Sequence, residues 1–378
     1  MPDKMANVSL KNITKVRPGK NGRDITVINE LNLDIQDREF VVLVGPPHCG
    51  ISTIIRMIAG LEEITEGELF IDGRLVNGVP AKDRDIAMVF QNHRPYPRMS
   101  VYDNLAFGLK QRKFSDAEIR KRLLAVAGIL GLQELLEHKS ESLSGEQRQR
   151  LAIGRATALQ PKVFLFDEPL ANLEAKPRVQ MRNEIAKLHQ RLQATMIYGT
   201  HDSIEAMAMG GRIVVLNDGA IQQMGTARAL YDEPENVFVA EFVGSSPMNL
   251  VRGTLKPDRD GVLFSEVDDG TIEARLPIAE PPALQAFLGK PVLLGIRPEQ
   301  ITTLESSKTE RHSGSFPAIV DSVEATGGGT NYYLQTGAHR LICRTGGLDP
   351  RQAGQRGQFQ LNLEKVCLFD PISGRRIT

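Results

Sequence analysis

Residues 40–60, FVVLVGPPHCGISTIIRMIAG, constrain the chain more than any other stretch. A short apolar run, Phe40 to Val44, enters a loop bounded by Gly45 and Gly50. A helical pattern then opens at Ser52 or Thr53 and carries Ile54, Ile55, Met57, Ile58 and Ala59. Strand, glycine loop and helix in this order turn backbone N–H groups and a helix N-terminus toward one point, which is an anion-binding arrangement. Gly45, four residues, Gly50, one residue and Ser52 reproduce the spacing of a phosphate-cradling loop. One position departs from it. Where the pattern places lysine, between Gly50 and Ser52, the chain has Ile51.

Strands alternate with helices on both sides of that loop. Alternating patterns at 7–44, a two-strand pattern around Asp72-Gly73, RDIAMVFQ ending at Gln91, the continuous apolar PKVFLFDEP, ATMIYGTHD and a hairpin pattern around 217–219 read as strands. Residues 92–160 are mostly helical, with Ser115 and Glu118 at capping-box spacing. The expectation is an α/β domain over 1–240 with a substantial parallel sheet and a helical section at about 92–160. From 241 to 378 short strands separated by Asp/Gly turns predict a small all-β barrel or sandwich. A chain of 378 residues has ample material for both.

Composition narrows the function classes. Lys plus Arg equals Asp plus Glu at 46 each, so net charge gives no support to nucleic-acid binding. Three widely spaced cysteines suggest neither a disulfide framework nor a metal cluster, and they fit a reducing cytosol. The first residues lack the apolar core of a signal peptide. No apolar stretch approaches the ~20 residues of a membrane span, so work at a membrane is expected to go through a partner.

Asp167 and Glu168 end the apolar strand VFLFDE, where one acid can serve a cation and the next an attacking water. Taken singly, acids at a strand end, Gln91 at another, Ser144 before a helix and His201 in GTHD all have ordinary structural readings. Together they stand in one order: glycine loop at 45–53, Gln91, LSGEQ at 143–147, FDEP at 166–169, ANLE at 171–174, His201. That order resembles the nucleotide-binding subunits of ABC transporters. LGIRPEQI, GSSPMNLVRGTL and the final FDPISGRRIT make the tail similar to the regulatory domain of the sugar importers of that family, those of the maltose and glycerol-3-phosphate type. The implied fold is a P-loop NTPase domain with a helical subdomain, followed by an all-β OB-like regulatory domain.

The resemblance assigns roles to matching positions. Gly45, Cys49, Gly50, Ile51, Ser52 and Thr53 form the loop that cradles the phosphates of ATP, and Ser52, Gln91 and Asp167 serve Mg²⁺. Glu168 is the general base, His201 holds the γ-phosphate and Gln91 contacts the attacking water. Ser144, Gly145 and Gln147 belong to a signature loop that reaches the ATP held by the opposite subunit of a dimer. The implied partners are membrane-spanning permease subunits and a second ATPase subunit, identical or homologous, with no nucleic acid. The implied place is the cytoplasmic face of the inner membrane, bound peripherally.

Four departures fall on this chemistry. Ile51 removes a charge-assisted hydrogen bond of roughly 1.5–3 kcal/mol, one to two decades in ATP affinity. Pro47 and His48 replace small loop residues; Pro47 lacks an N–H, and His48 must accept a backbone geometry suited to glycine. Glu146 replaces a glycine of the signature loop and would face a phosphate across the dimer. Arg17 stands near the family's adenine-stacking aromatic, and an arginine can stack on a purine face. A homodimer would carry Ile51 and Glu146 at both sites, whereas an intact partner would leave one fault per site. The alternative to an importer ATPase is a non-hydrolysing subunit with a structural or regulatory role.

Overall fold

The computed structural model describes residues 6–19, 22–91, 95–258, 261–267, 269–276, 282–303, 313–326, 329–346 and 351–377. Part of the loop expected at 92–100, residues 92–94, lies outside them. The chain divides into two compact units, Met1–Ala227 and Arg228–Thr378.

The first unit begins with β1 (Val8–Pro18), β2 (Asp24–Ile35), β3 (Phe40–Val44) and α1 (Ile51–Ala59). The hairpin β4 (Glu66–Ile71) and β5 (Arg74–Leu75) turns at Asp72 and Gly73, with φ of 53° and 71°, the left-handed pair that a tight hairpin needs. Next come β6 (Ile86–Val89) and the helices α2 (Val101–Gln111), α3 (Asp116–Leu130) and α4 (Gly145–Ala158). Ser100, Ser115 and Ser144 cap these three helices, each accepting a backbone N–H three residues on. The unit continues through β7 (Val163–Asp167), α5 (Ala175–Leu192), β8 (Thr195–Thr200), α6 (Ser203–Met209), β9 (Arg212–Asn217) and β10 (Ala220–Gly225).

One sheet has the order β10-β9-β3-β8-β7-β6, parallel except for the β9–β10 hairpin. Every residue of β3, β7 and β8 is buried, which explains their unbroken apolar sequences. The parallel register sets Val44 opposite Thr200 and Asp167 opposite Gly199. The glycine loop, Glu168 and His201 therefore leave the sheet at the same edge, outside the carboxyl ends of its strands, where open α/β sheets bind ligands. A second, antiparallel sheet has the order β2-β1-β4-β5.

The second unit opens with α7 (Ala227–Asp232) and α8 (Val237–Phe242). It continues through β11 (Asn249–Asp258), β12 (Gly261–Glu266), β13 (Glu273–Leu276), α9 (Pro282–Gln285), β14 (Pro291–Ile296), β15 (Ile301–Thr303), β16 (Ser313–Thr326), β17 (Gly329–Gln335), β18 (Arg340–Thr345), β19 (Arg356–Asn362) and β20 (Cys367–Phe369). Its sheets, β13-β12-β11-β14-β20 and β15-β19-β16-β17-β18, share one core in which Phe264 and Leu294 join Phe316, Tyr332 and Phe359.

The sequence texture placed the boundary at 240, whereas the contacts divide the chain at 227/228. Residues 228–243 are fastened to the β-rich unit by long-range bonds. Val237 N–H donates to Gly374 O at 2.9 Å and Arg376 N–H to Glu235 O at 2.9 Å. The buried guanidinium of Arg297, in the LGIRPEQI segment, donates to the carbonyls of Tyr231, Ala240 and Val243. Short helices of this kind gain their stability from such contacts and leave little periodic signal.

Candidate functional site

The glycine loop rests on contacts that admit no side chain. A Cβ on Gly45 would lie 2.2 Å from Leu216 O, and one on Gly50, at φ +104°, would lie 2.3 Å from Ile28 Cδ1. The turn closes with Cys49 N–H on Pro46 O at 3.2 Å. His48 takes φ +70°, a conformation that costs a non-glycine residue roughly 1–2 kcal/mol. The helix begins at Ile51, one residue before the sequence pattern placed it, and no side chain caps it. Its first-turn N–H groups are of the kind that bind anions.

Ile51 is 1% exposed and belongs to the hydrophobic core; its Cγ2 packs against Gly199 of β8. The residue at the lysine position therefore serves packing beneath the loop. Cys49 is buried in the same core, and burial pushes its thiol up to about 11. Its loop contribution is backbone only: Gly219 N–H donates to its carbonyl at 3.2 Å.

Facing the loop are side chains from the ends of β7 and β8. Ser52 Oγ donates to Asp167 Oδ1 at 2.7 Å, and Arg56 Nε lies 3.7 Å from Asp167 Oδ2. His201 Nε2 is 3.1 Å from Glu168 Oε1, and Gln91 Nε2 is 3.4 Å from Glu168 Oε2. His201 Nδ1 is 2.7 Å from Gly45 O. A carbonyl only accepts, so the tautomer that satisfies the Gly45 contact donates from Nδ1. Glu168 sits at φ 47°, strained for a non-glycine residue, with its N–H on Gly199 O at 3.0 Å. Asn172 Nδ2 donates to Gln91 O at 3.1 Å and steadies that strand end.

Between these groups lies a cavity of about 690 Å³, lined by Gly50–Thr53, His48, Pro47, Glu168 and His201, and by Ile25, Thr26 and Val27 of β2. Arg17, Arg56 and Asp218 also line it; nothing in the local sequence around Arg56 or Asp218 marked either as a site residue. The donor set suits a divalent cation carried by phosphate. Ser52 and Asp167 already meet, and among the described residues no group of three His, Cys, Asp or Glu could hold an ion unaided. Phosphate oxygens would have to complete its shell.

The structure adds detail to three expectations. Arg17, read as a partner for a purine face, is tied by its edge: Nη2 donates to Glu62 Oε1 and Oε2 at 2.6 and 2.8 Å and to Thr53 Oγ1 at 3.1 Å. Glu146, expected as a bare charge, pairs with Arg150 at 2.8 Å, and Arg150 also holds Glu184 at 2.5 Å. Ser144, Gly145 and Gln147 start α4 as a complete capping box outside this chain's own cavity lining; the expectation for them concerns the ATP of an opposite subunit.

Models of known families match three parts of the chain: ABC transporter at residues 28–171, MalK OB fold domain at 244–301 and TOBE domain at 294–369. The ABC transporter ATP-binding protein YcjV of Escherichia coli strain K12 is 46% identical over 367 residues, 97% of this chain and 98% of the relative. The oligosaccharides import ATP-binding protein MsmX of Bacillus subtilis strain 168 is 46% identical over 379 residues, 99% of this chain and 100% of the relative. Among solved structures, an ATP-binding cassette in a dimeric post-hydrolysis state with ADP and Pi matches at TM-score 0.52 and 32% identity, covering 58% of this chain and 98% of that one.

Proposed function

Because this chain belongs to the family of ABC transporter ATP-binding proteins, in the type that carries a MalK OB fold domain and a TOBE domain, we propose that it is the ATP-binding subunit of a sugar or oligosaccharide importer. It acts as a dimer on membrane-spanning permease subunits, at the cytoplasmic face. No helix among the described residues is long and apolar enough to cross a membrane. The name of the relative MsmX supports the substrate class, and a dimeric neighbour with ADP and Pi supports the assembly. The nucleotide role is proposed for the first compact unit, to Ala227, and the regulatory role for the second, from Arg228.

The single observation that carries this reading is the convergence of Ser52, Asp167, Glu168, Gln91 and His201 at one edge of the glycine loop. Phosphates of ATP lie against the N–H groups of Gly50 to Thr53. Ser52, Asp167 and Gln91 would hold Mg²⁺, which when bound neutralises phosphate charge. Glu168 takes a proton from the water that attacks the γ-phosphorus, while His201 and Gln91 fix both oxygens of its carboxylate. Water oxygen bonds to phosphorus, the β–γ bridging oxygen leaves with ADP, and inorganic phosphate is released. Ser144, Gly145 and Gln147 close on the partner's ATP, and the Arg150 pair lowers the repulsion that Glu146 alone would bring.

Phosphate release by the purified chain tests this. Turnover is expected to fall by about a hundredfold or more in Glu168→Gln, the range of a lost general base. Nucleotide binding without any turnover, or binding recovered only in Ile51→Lys, would replace hydrolysis with a structural or regulatory role.

A further inference from the structure

We propose that Arg17 makes this site a reader of the polyphosphate chain, indifferent to the nucleotide base. It supplies beside Thr53 the positive charge that the loop lacks at Ile51. The inference rests on the nucleotide reading above and deepens it by naming what the site recognises.

Arg17 lies near the end of β1, 36 residues before Thr53, yet its Nη2 reaches the Thr53 hydroxyl at 3.1 Å. Thr53 is in the first turn of α1 and lines the cavity. The guanidinium is thus anchored at the end of the cavity where the helix N–H groups gather. Glu62, 15% exposed, fixes its orientation through Nε and Nη2. Lys15 Nζ also stands 3.7 Å from Glu62 Oε1, so one carboxylate faces two cations and the cluster keeps a net positive charge. Nη1 of Arg17 has no hydrogen-bond partner among the described residues and remains as a donor for a phosphate oxygen.

The rest of the cavity offers a base much less. The β2 wall next to Arg17, which pairs with Ile25 across the β1–β2 ladder, is Ile25, Thr26 and Val27, and among the described lining residues none carries a Phe, Tyr or Trp ring. An aromatic face is worth about 1–3 kcal/mol to a stacked base. Without one, binding free energy concentrates on the phosphates, where two arginines and the loop N–H groups converge. The ligand class is therefore a linear triphosphate, with or without a nucleoside.

Calorimetric titration of the full chain with ATP, GTP and inorganic triphosphate, each with Mg²⁺, tests this. The three dissociation constants are expected to agree within about fivefold. Arg17→Leu should weaken all three together, by about ten- to a hundredfold, as a lost charge-assisted hydrogen bond does. Arg17→Lys should restore most of the loss, which also covers the case in which the leucine variant does not fold. Binding of ATP more than about fivefold tighter than GTP or inorganic triphosphate overturns the proposal and leaves the nucleotide site standing. So does an Arg17→Leu loss confined to the nucleotides, or one that Arg17→Lys fails to restore. If none of the three binds the unaltered chain, the nucleotide reading falls as well.

Discussion

The two walls of the cavity are built on different physics. On the acid wall, Asp167, Glu168, Gln91 and His201 are bonded to one another or to loop atoms, so their positions depend on polar geometry. On the loop wall, the side chains of Ile51 and Cys49 belong to the core, while Pro47, His48, Gly50, Ser52, Thr53 and Arg56 line the cavity. The loop keeps its shape through Gly45, Gly50 and apolar packing, independently of any lysine. A phosphate loop can thus lose its cation without losing its fold, and what it loses in charge has to come from other elements.

The largest effect expected is on the loop wall. Ile51→Ala empties a buried site and should cost about 2–4 kcal/mol of stability in denaturant unfolding. Glu168→Gln should change stability by less than about 1 kcal/mol while removing turnover. If Ile51→Ala instead leaves stability intact, the side chain belongs to the site and the contrast fails.

Next is the start of α4. Arg150→Leu strands Glu146 and Glu184 beside each other; burial already pushes the Glu184 carboxyl up, and Arg150 is the main opposing influence. The expected loss is about 1–2 kcal/mol at neutral pH for this partly buried pair. It should shrink in acid, where protonation of Glu184 relieves the repulsion. An equal loss at both pH values would mean that the arginine acts through packing.

Smaller, and opposite in sign, is His48→Gly. Relief of the left-handed strain at φ +70° should raise stability by about 0.5–1 kcal/mol, after the extra backbone entropy of glycine. A fall in the unfolding midpoint would show that the imidazole makes a contact that outweighs its strain.

How much of this was legible follows from the range of each interaction. Continuous apolar runs gave the parallel strands, and Asp72-Gly73 and Asp218-Gly219 gave the hairpins, because these signals are local. The Glu146–Arg150 pair was also legible, at helical i, i+4 spacing. So was the destiny of Ile51: with Ile54, Ile55 and Ile58 it forms an i, i+3, i+4, i+7 stripe, the mark of a buried helix face. The stripe speaks for the side chain alone, since residue 51 also lines the cavity. The Arg17–Glu62 pair spans 45 positions, and the Arg297 bonds span between 54 and 66, so no sequence window could contain them. The same holds for the unit boundary, which those long-range bonds set.

The smallest effect separates the walls by titration. Cys49 on the loop wall holds its proton up to about 11, so the loop core does not titrate near neutrality. Behind the acid wall, Glu205 in α6 is buried and accepts a hydrogen bond from Tyr198 Oη at 2.7 Å, four residues along from His201. Burial raises its carboxyl above the ordinary glutamate value, against the hydrogen bonds from Tyr198 and Thr200 that lower it. Between the ordinary and the raised value the unfolded chain has lost this proton while the folded chain keeps it. The unfolded state then binds fewer protons, so stability falls as pH rises through that window and levels off above it. Glu205→Gln keeps the acceptor for Tyr198 and removes the titration. Its stability relative to the unaltered chain should therefore rise across the window and then stay constant, in urea melts taken at stepped pH. Parallel pH profiles for the two proteins would show that the acid wall is as indifferent to protons as the loop wall, and would remove this part of the contrast.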